Sequence, residues 1–398
     1  MSALDDCYNI FDMREAAKRR LPRGIFEFVD RATEDHLAVA DNRSGFHDIK
    51  LRHRALVDVS GRSTKTMLFG KEVALPMIIA PTGAAGLCWY RGELQLAKAA
   101  AKAGIPFAMS TASMTAMEEV ADQAGGRLWF QLYVWKRRDL SYQVIERAKK
   151  AGYEALIVTV DSAVSPNREY NARNGFSAPL KPNFRMAVDI ALHPGWSLGV
   201  MGRYLRTTGM PKQENFPPEF QESITRGVGD RADGMRRDSL TWDDVKKFRE
   251  MWPGLLMLKG VNRVDDALKA INYGVDGIIV SNHGGRNMDS APATIRVLPE
   301  IAEAVGDKAT VILDSGVRRG SDIVKALALG AKAVLTGRAT LYGTAVAGQA
   351  GAAKAIQVIQ VIQTEMDKTM AYTGCNRTDE ISTDIFFGDR ESNRLMAE

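Results

Sequence analysis

The chain has 398 residues, 45% hydrophobic and 25% charged, a balance that fits a folded globular protein and excludes a disordered or fibrous one. Its net charge of +5 and pI of about 9.0 come without a clustered Lys/Arg run, which argues against nucleic acid and favours a small carboxylate or an anionic membrane surface. Three dispersed cysteines, Cys7, Cys88 and Cys375, give neither a disulfide framework nor a metal site and suit a reducing cytoplasm.

Residues 1–75 read as an N-terminal helical extension, with helices over Met13–Arg19 and Arg23–Ala32 and an extended segment behind them. The start, Met1–Tyr8, is acidic and has no apolar core, so no signal peptide is expected, and no run of about 18 apolar residues predicts a spanning helix. From residue 76 onward, eight short apolar runs follow one another: Met77–Pro81, Pro106–Thr111, Trp129–Val134, Ala155–Asp161, Leu255–Gly260, Gly277–Gly284, Thr310–Gly316 and Ala333–Arg338. Between them lie helical patterns, such as Glu93–Ala103, Leu140–Ala151, Asp243–Met251, Val264–Tyr273 and Ser321–Leu329. Strands alternating with helices predict the α/β class and a (β/α)8 TIM barrel over 76–398, its bottom or flank covered by the N-terminal extension.

One interval breaks the rhythm. After the fourth run, roughly 75 residues pass before the next barrel helix starts near Thr241, too many for a plain loop. This predicts a long insertion after strand 4, at about 174–240. Its window Lys181–Lys212 is rich in aromatic and aliphatic residues, with five Lys/Arg against one Asp. It reads as a lid on its own barrel or a neighbouring subunit, or as an amphipathic patch resting on a membrane. A C-terminal helix and polar tail occupy about 345–398, the strongest helical pattern being Ala353–Met370.

Nearly every run ends in a residue capable of chemistry, and barrel active sites lie at that C-terminal mouth. Ser281-Asn282-His283-Gly284-Gly285-Arg286 is the most specific string: a proton-accepting histidine, two glycines that let the backbone pass close to a ligand, and an arginine suited to a carboxylate. Asp314-Ser315-Gly316-Val317-Arg318 and Thr336-Gly337-Arg338 end the last two runs, where barrels form phosphate pockets. Lys259 ends the fifth run and needs an anionic or electron-rich partner, either in Schiff-base chemistry or at the electron-rich edge of a flavin. No G-x-G-x-x-G follows a strand, which disfavours a Rossmann-bound dinucleotide.

With these residues the chain resembles the FMN-dependent L-2-hydroxy acid oxidising enzymes, a family of dehydrogenases and oxidases, from about Phe11 to Cys375. Leu335–Gly343, Arg318–Gly330, Leu192–Leu198 and Gly209–Pro211 resemble its mandelate-oxidising members most, the last two in the stretch where the membrane-bound members carry their membrane-contacting segment. The resemblance implies that His283 is the base, that Asp161 orients it, that Arg168 and Arg286 hold the substrate carboxylate, and that Tyr133 bonds the substrate hydroxyl. It implies a flavin ring held by Ser110, Gln131, Thr159, Lys259 and Ser281, with the backbone of Thr82 and Gly83 alongside. Asp314 would take the ribityl hydroxyls, and Gly316, Arg318, Gly337 and Arg338 the phosphate. A small 2-hydroxy acid substrate, a quinone acceptor, a tetramer and a cytoplasmic or peripheral inner-membrane location follow from the same likeness. In one place the chain departs: Phe26-Glu27-Phe28 stands where the family has Tyr-x-Tyr, so Phe28 lacks a hydrogen bond to the substrate carboxylate worth about 1.5–3 kcal/mol. That loss favours a larger, more apolar substrate over glycolate or lactate. The rival readings are an L-lactate dehydrogenase or oxygen-using oxidase, and more distantly a flavin-dependent isomerase or a non-catalytic FMN-binding protein.

Overall fold

The computed structural model describes residues 3–388 apart from 177–179, 181–182, 227–228 and 358. Lys181, residue 358 within the Ala353–Met370 pattern, and the tail beyond 388 lie outside the described residues.

Eight parallel strands close into a barrel: β1 (Met77–Ile79), β2 (Phe107–Ser110), β3 (Leu128–Leu132), β4 (Ala155–Thr159), β5 (Leu255–Val261), β6 (Gly277–Val280), β7 (Thr310–Asp314) and β8 (Ala333–Thr336), with β8 paired to β1. Every residue of β2, β3 and β4 is buried, because helices cover the outside and side chains fill the inside. Alternation assigns the two layers. Ile78, Ala108, Trp129, Ile157, Met257, Ile279, Ile312 and Leu335 fill the interior, while neighbours such as Phe130, Val158 and Leu258 pack against the helices.

A hairpin of two short strands, Thr66–Leu68 and Lys71–Val73, closes the bottom of this cylinder. Its Leu68 and Val73 join the interior cluster, and the Phe69 ring meets Trp129 edge-on at 5.9 Å. Hydrocarbon fills the lower interior, Arg127 and Glu154 pair at the bottom rim beside Trp129, and the polar side chains that could meet a ligand gather at the upper strand ends.

The N-terminal extension has three helices, α1 (Ile10–Arg20), α2 (Arg23–Asp30) and α3 (Leu37–Asp48). The third corrects the sequence expectation of an extended segment there. Its buried face is Ala38, Asn42, Gly45 and Phe46, which carries little apolar signal. Tertiary contact sets it instead: a Cβ on Gly45 would come within 2.7 Å of Ile295, so the helix rests close against the one at Thr294–Val305. The extension also reaches the barrel's upper rim. Thr33 donates to the Gly285 carbonyl at 3.1 Å and, through its hydroxyl, to that of Asn167 at 2.7 Å. Asn42 and Asn282 exchange side-chain hydrogen bonds of 2.9 Å.

A short helix at Glu169–Arg173 leads into the insertion, which contains helices at Phe184–Ala191 and Gly202–Thr207, the second continuing from a π-turn at Ser197–Met201. Trp196, Val200 and Tyr204, at helical spacing, are its buried face. The Trp196 indole donates to the Leu87 carbonyl at 2.6 Å, and the Tyr204 hydroxyl accepts from the Arg91 amide at 3.1 Å. Opposite them Phe184, Leu192, Leu198 and Leu205 are 83%, 73%, 64% and 56% exposed, beside exposed Arg185, Arg203 and Arg206. At the C-terminus, helices at Arg338–Gln357 and Ile359–Thr373 stand where the sequence suggested one dominant helix; the first leaves helical geometry at Ala347 and Gly348.

Candidate active site

The strand ends of β2 to β7 form an ordered polar ring. The Ser110 hydroxyl donates to Gln131 Oε1 at 3.1 Å, and Gln131 Nε2 donates to Thr159 Oγ1 at 2.9 Å. Across the mouth Lys259 Nζ donates to Ser281 Oγ at 2.9 Å and pairs with Asp314 at 3.0 Å, while Ser281 donates to Asp314 Oδ2 at 2.6 Å. Burial alone would lower the Lys259 pKa, but Asp314 and Asp161 outweigh it and the net shift is upward. Lys259 is therefore a fixed ammonium. Asp314, expected to face a ribityl chain, is also its counter-ion, a pairing the sequence did not reveal.

His283 sits in left-handed backbone with φ 57°, its amide donating to Ser281 Oγ at 3.0 Å. This turn aims Nδ1 at Asp161 Oδ1, 2.8 Å away, and leaves Nε2 3.3 Å from the Tyr133 hydroxyl. Asp161 has space for this because β5 bulges between Lys259 and Val261: a Cβ on Gly260, φ 106°, would come within 2.5 Å of the Asp161 Cβ. Asn287 and Ser162, both missed in the sequence although adjacent to the motifs, hold the carboxylate. Asn287 Nδ2 donates to the Asp161 carbonyl at 2.7 Å and to Ser162 Oγ at 3.1 Å, and Ser162 donates to Asp161 Oδ1 at 3.1 Å. Burial raises the Asp161 pKa, but His283 and Lys259 outweigh it and bring it below the usual value. For His283 burial dominates over Asp161 and the pKa falls below its ordinary value. The pair is thus a carboxylate and a neutral imidazole at neutral pH, the state a general base requires.

Two guanidiniums face this pair, held by main-chain carbonyls. Arg168 donates from Nε and Nη2 to the Arg286 carbonyl at 3.3 and 3.0 Å, and Arg286 Nη1 donates to that of Arg31 at 2.9 Å. Among the described residues neither is paired with a carboxylate. Burial and the neighbouring Arg168 bring the Arg286 pKa down to about 10, so both arginines are suited to an incoming anion. Arg286 also stands 5.1 Å over the Phe28 ring, which packs on Phe176 at 4.9 Å.

The last two strand ends make a third region. Arg318 is half-buried, burial brings its pKa to about 10, and among the described residues its Nη1 donates to the adjacent Val317 carbonyl at 2.7 Å. Thr336 Oγ1 is buried with no hydrogen-bond partner among the described residues. Gly83 and Gly337 keep the surface flat: a Cβ on either would come within 3.2 Å of Ala112 or 3.3 Å of Thr82. An unpartnered hydroxyl and a half-buried guanidinium paired with no carboxylate among the described residues, beside two glycines that keep the surface flat, together fit a flat ring system with an anionic tail. Arg338, read in the sequence as a phosphate ligand, donates to the carbonyls of Val29, Gly284 and Arg31 at 3.1, 2.8 and 3.1 Å and ties α2 to the His283 loop.

A sequence profile of the FMN-dependent dehydrogenase family matches residues 17–387. The chain is 39% identical to (S)-mandelate dehydrogenase of Pseudomonas putida over 386 residues, 97% of this chain and 95% of that one. It is 42% identical to an L-lactate dehydrogenase of Caulobacter sp. (strain K31) over 379 residues, 94% and 97% of the two chains. A crystal structure of (S)-mandelate dehydrogenase, described as a monotopic membrane protein, superposes with a TM-score of 0.88 at 39% identity, over 96% of this chain and all of that one. With its barrel, its polar mouth and near-full-length likeness in agreement, the chain belongs to the FMN-dependent dehydrogenase family.

Proposed function

We propose that this protein oxidises an L-2-hydroxy acid with an aromatic or long aliphatic side chain to the 2-oxo acid, passing the electrons to a quinone-type acceptor. The observation that carries this reading is His283, set between Asp161 and the Tyr133 hydroxyl near two guanidiniums that, among the described residues, pair with no carboxylate. FMN, when bound, supplies the acceptor for two electrons. Ser110, Gln131, Thr159, Lys259 and Ser281 would hold its ring beside the backbone of Thr82 and Gly83, Asp314 its ribityl hydroxyls, and Arg318 with Gly316, Gly337 and Arg338 its phosphate.

Around it the chain's own groups divide the work. Arg168 and Arg286 bind the substrate carboxylate in two-pronged fashion and fix its orientation. Tyr133 donates to the hydroxyl oxygen, and neutral His283 takes a proton at Nε2. Asp161 then stabilises the imidazolium through Nδ1. The Phe28–Phe176 wall favours a large apolar side chain.

The exposed apolar and basic face of the insertion supports peripheral attachment to the inner face of an anionic membrane, near its quinones. Among the described residues no helix is long and apolar enough to cross one. A homotetramer belongs to the same reading by family resemblance. An L-lactate dehydrogenase is the second reading, favoured by the 42% identity to such an enzyme. Anaerobic titration of the yellow holoenzyme separates them: L-mandelate should bleach the flavin with higher kcat/KM than L-lactate. Preference for L-lactate would overturn the substrate assignment, and bleaching by no L-2-hydroxy acid would overturn the reaction.

A further inference from the structure

Arg237 is a fifth guanidinium at this mouth, after Arg168, Arg286, Arg318 and Arg338, and none of the roles above uses it. It lies at the end of the insertion, where the backbone is tied to the segment following β3: the Lys136 amide donates to the Arg236 carbonyl at 2.7 Å and the Arg137 amide to that of Gly234 at 3.3 Å. Its neighbours turn outward, Arg236 pairing with Asp238 and with Asp233. Arg237 turns inward and is half-buried, its guanidinium 4.0 Å from the centre of the Tyr133 ring. The hydroxyl of that ring is the one 3.3 Å from His283 Nε2.

Among the described residues that aromatic face is its only partner. No carboxylate or carbonyl accepts from its N–H groups, although every other guanidinium at the mouth donates to at least one main-chain carbonyl. Burial holds its pKa below the ordinary value, and only the Tyr133 oxygen opposes that. A partly desolvated cation with five unused donors is unfavourable unless an anion completes it. Arg168 and Arg286 already suit the carboxylate next to the reacting carbon. Arg237 lies instead over the face of the Tyr133 ring, at the end of the insertion.

We propose that Arg237 is a specificity-determining residue that binds a second, distal carboxylate, so that the preferred substrate is a dianionic L-2-hydroxy acid. This rests on the hydroxy-acid reading of the same site and narrows its substrate class. The acid's α-end binds as described, and its side chain passes the Phe28–Phe176 wall and Tyr133 to end on the guanidinium.

The test compares two substrate pairs on the FMN-loaded enzyme, 4-carboxymandelate with mandelate and L-2-hydroxyglutarate with L-2-hydroxyhexanoate. Calorimetric binding of the matching 2-oxo acids gives a readout without turnover. The wild type should favour each dianion by about 10–100-fold, the range of a charge-assisted hydrogen bond. Arg237→Met and Arg237→Gln should remove that preference and leave the monoanions within about threefold of wild type. Arg236→Met, an equal loss of charge at an exposed neighbour, should retain it. The proposal is overturned if the wild type does not distinguish the members of either pair, if the Arg237 variants weaken both members equally, or if Arg236→Met acts like Arg237→Met. Were no hydroxy acid of any kind to reduce the flavin, the underlying reading would fail instead, and calorimetry would still report whether dianions bind through Arg237.

Discussion

Asp161→Asn isolates the electrostatic part of the base. The amide keeps the carboxylate's shape and an oxygen for the 2.8 Å bond from His283 Nδ1, and Asn287 and Ser162 still bracket it. Lys259 retains Asp314 at 3.0 Å, so its ammonium is not orphaned. What disappears is a charge beside the imidazolium that forms when His283 accepts a proton. The two side chains are 20% and 12% exposed, so water screens the pair little. A hydrogen bond to a charged group contributes about 1.5–3 kcal/mol, and at about 1.4 kcal/mol per tenfold, flavin reduction should slow by about 10–150-fold. The pH profile gives an independent sign. Burial lowers the His283 pKa and Asp161 opposes that, so removing the carboxylate should lower it further. Anaerobic stopped-flow of flavin reduction should therefore show a reduced plateau in kcat/KM with its acid limb moved to lower pH. A plateau within threefold of wild type, or an acid limb moved to higher pH, would refute the reasoning.

Four further outcomes are expected. Lys259→Met leaves Asp314 and Asp161 buried without their cation, so thermal unfolding should show a loss of about 3–5 kcal/mol and the purified protein should carry less flavin; an unchanged Tm would show that the ion pair does not support the mouth. Arg286→Lys keeps the charge but loses the planar fork, so 2-oxo acid binding should weaken about tenfold or more by calorimetry, and unchanged affinity would remove Arg286 from the carboxylate site. Phe28→Tyr restores a hydroxyl over Arg286 and should raise kcat/KM for L-lactate relative to L-mandelate; a shift the other way would contradict the role given to this position. Replacing Phe184, Leu192, Leu198 and Leu205 by serine, with Trp196, Val200 and Tyr204 kept, should abolish sedimentation with anionic vesicles at low salt and leave flavin reduction intact; sedimentation that persists would reassign the face.

The barrel was legible because its signals are local: short buried runs, each ending in a polar residue at the same end. His283, Asp161, Tyr133 and Lys259 could be read for that reason, and the structure brings all four to one mouth. Features set by distant contacts were not legible. Helix α3 buries Asn42 and Gly45, which carry no apolar periodicity, and forms because Asn282 and Ile295 await it. The pairing of Lys259 with Asp314 joins residues on β5 and β7, so neither predicts the other along the chain. Asn287 could have been found, since it directly follows the Ser281–Arg286 string. Arg237 could not, because its neighbours Arg236 and Asp238 make it look like one member of a solvated charge run.

The left-handed backbone at His283 has a bearing on how such a protein can decay. A side-chain-bearing residue in that conformation lies about 1 kcal/mol or more above a glycine, although histidine is among those that tolerate it better. The sequence continues with Gly284 and Gly285, so a third glycine would ease the turn. His283→Gly should therefore recover about 1 kcal/mol at the turn, which offsets part of what is lost with the 2.8 Å bond to Asp161, while having lost its base. A screen for heat resistance that did not also monitor turnover would under-report damage at this position, because relief at the turn masks part of what the lost base costs the fold.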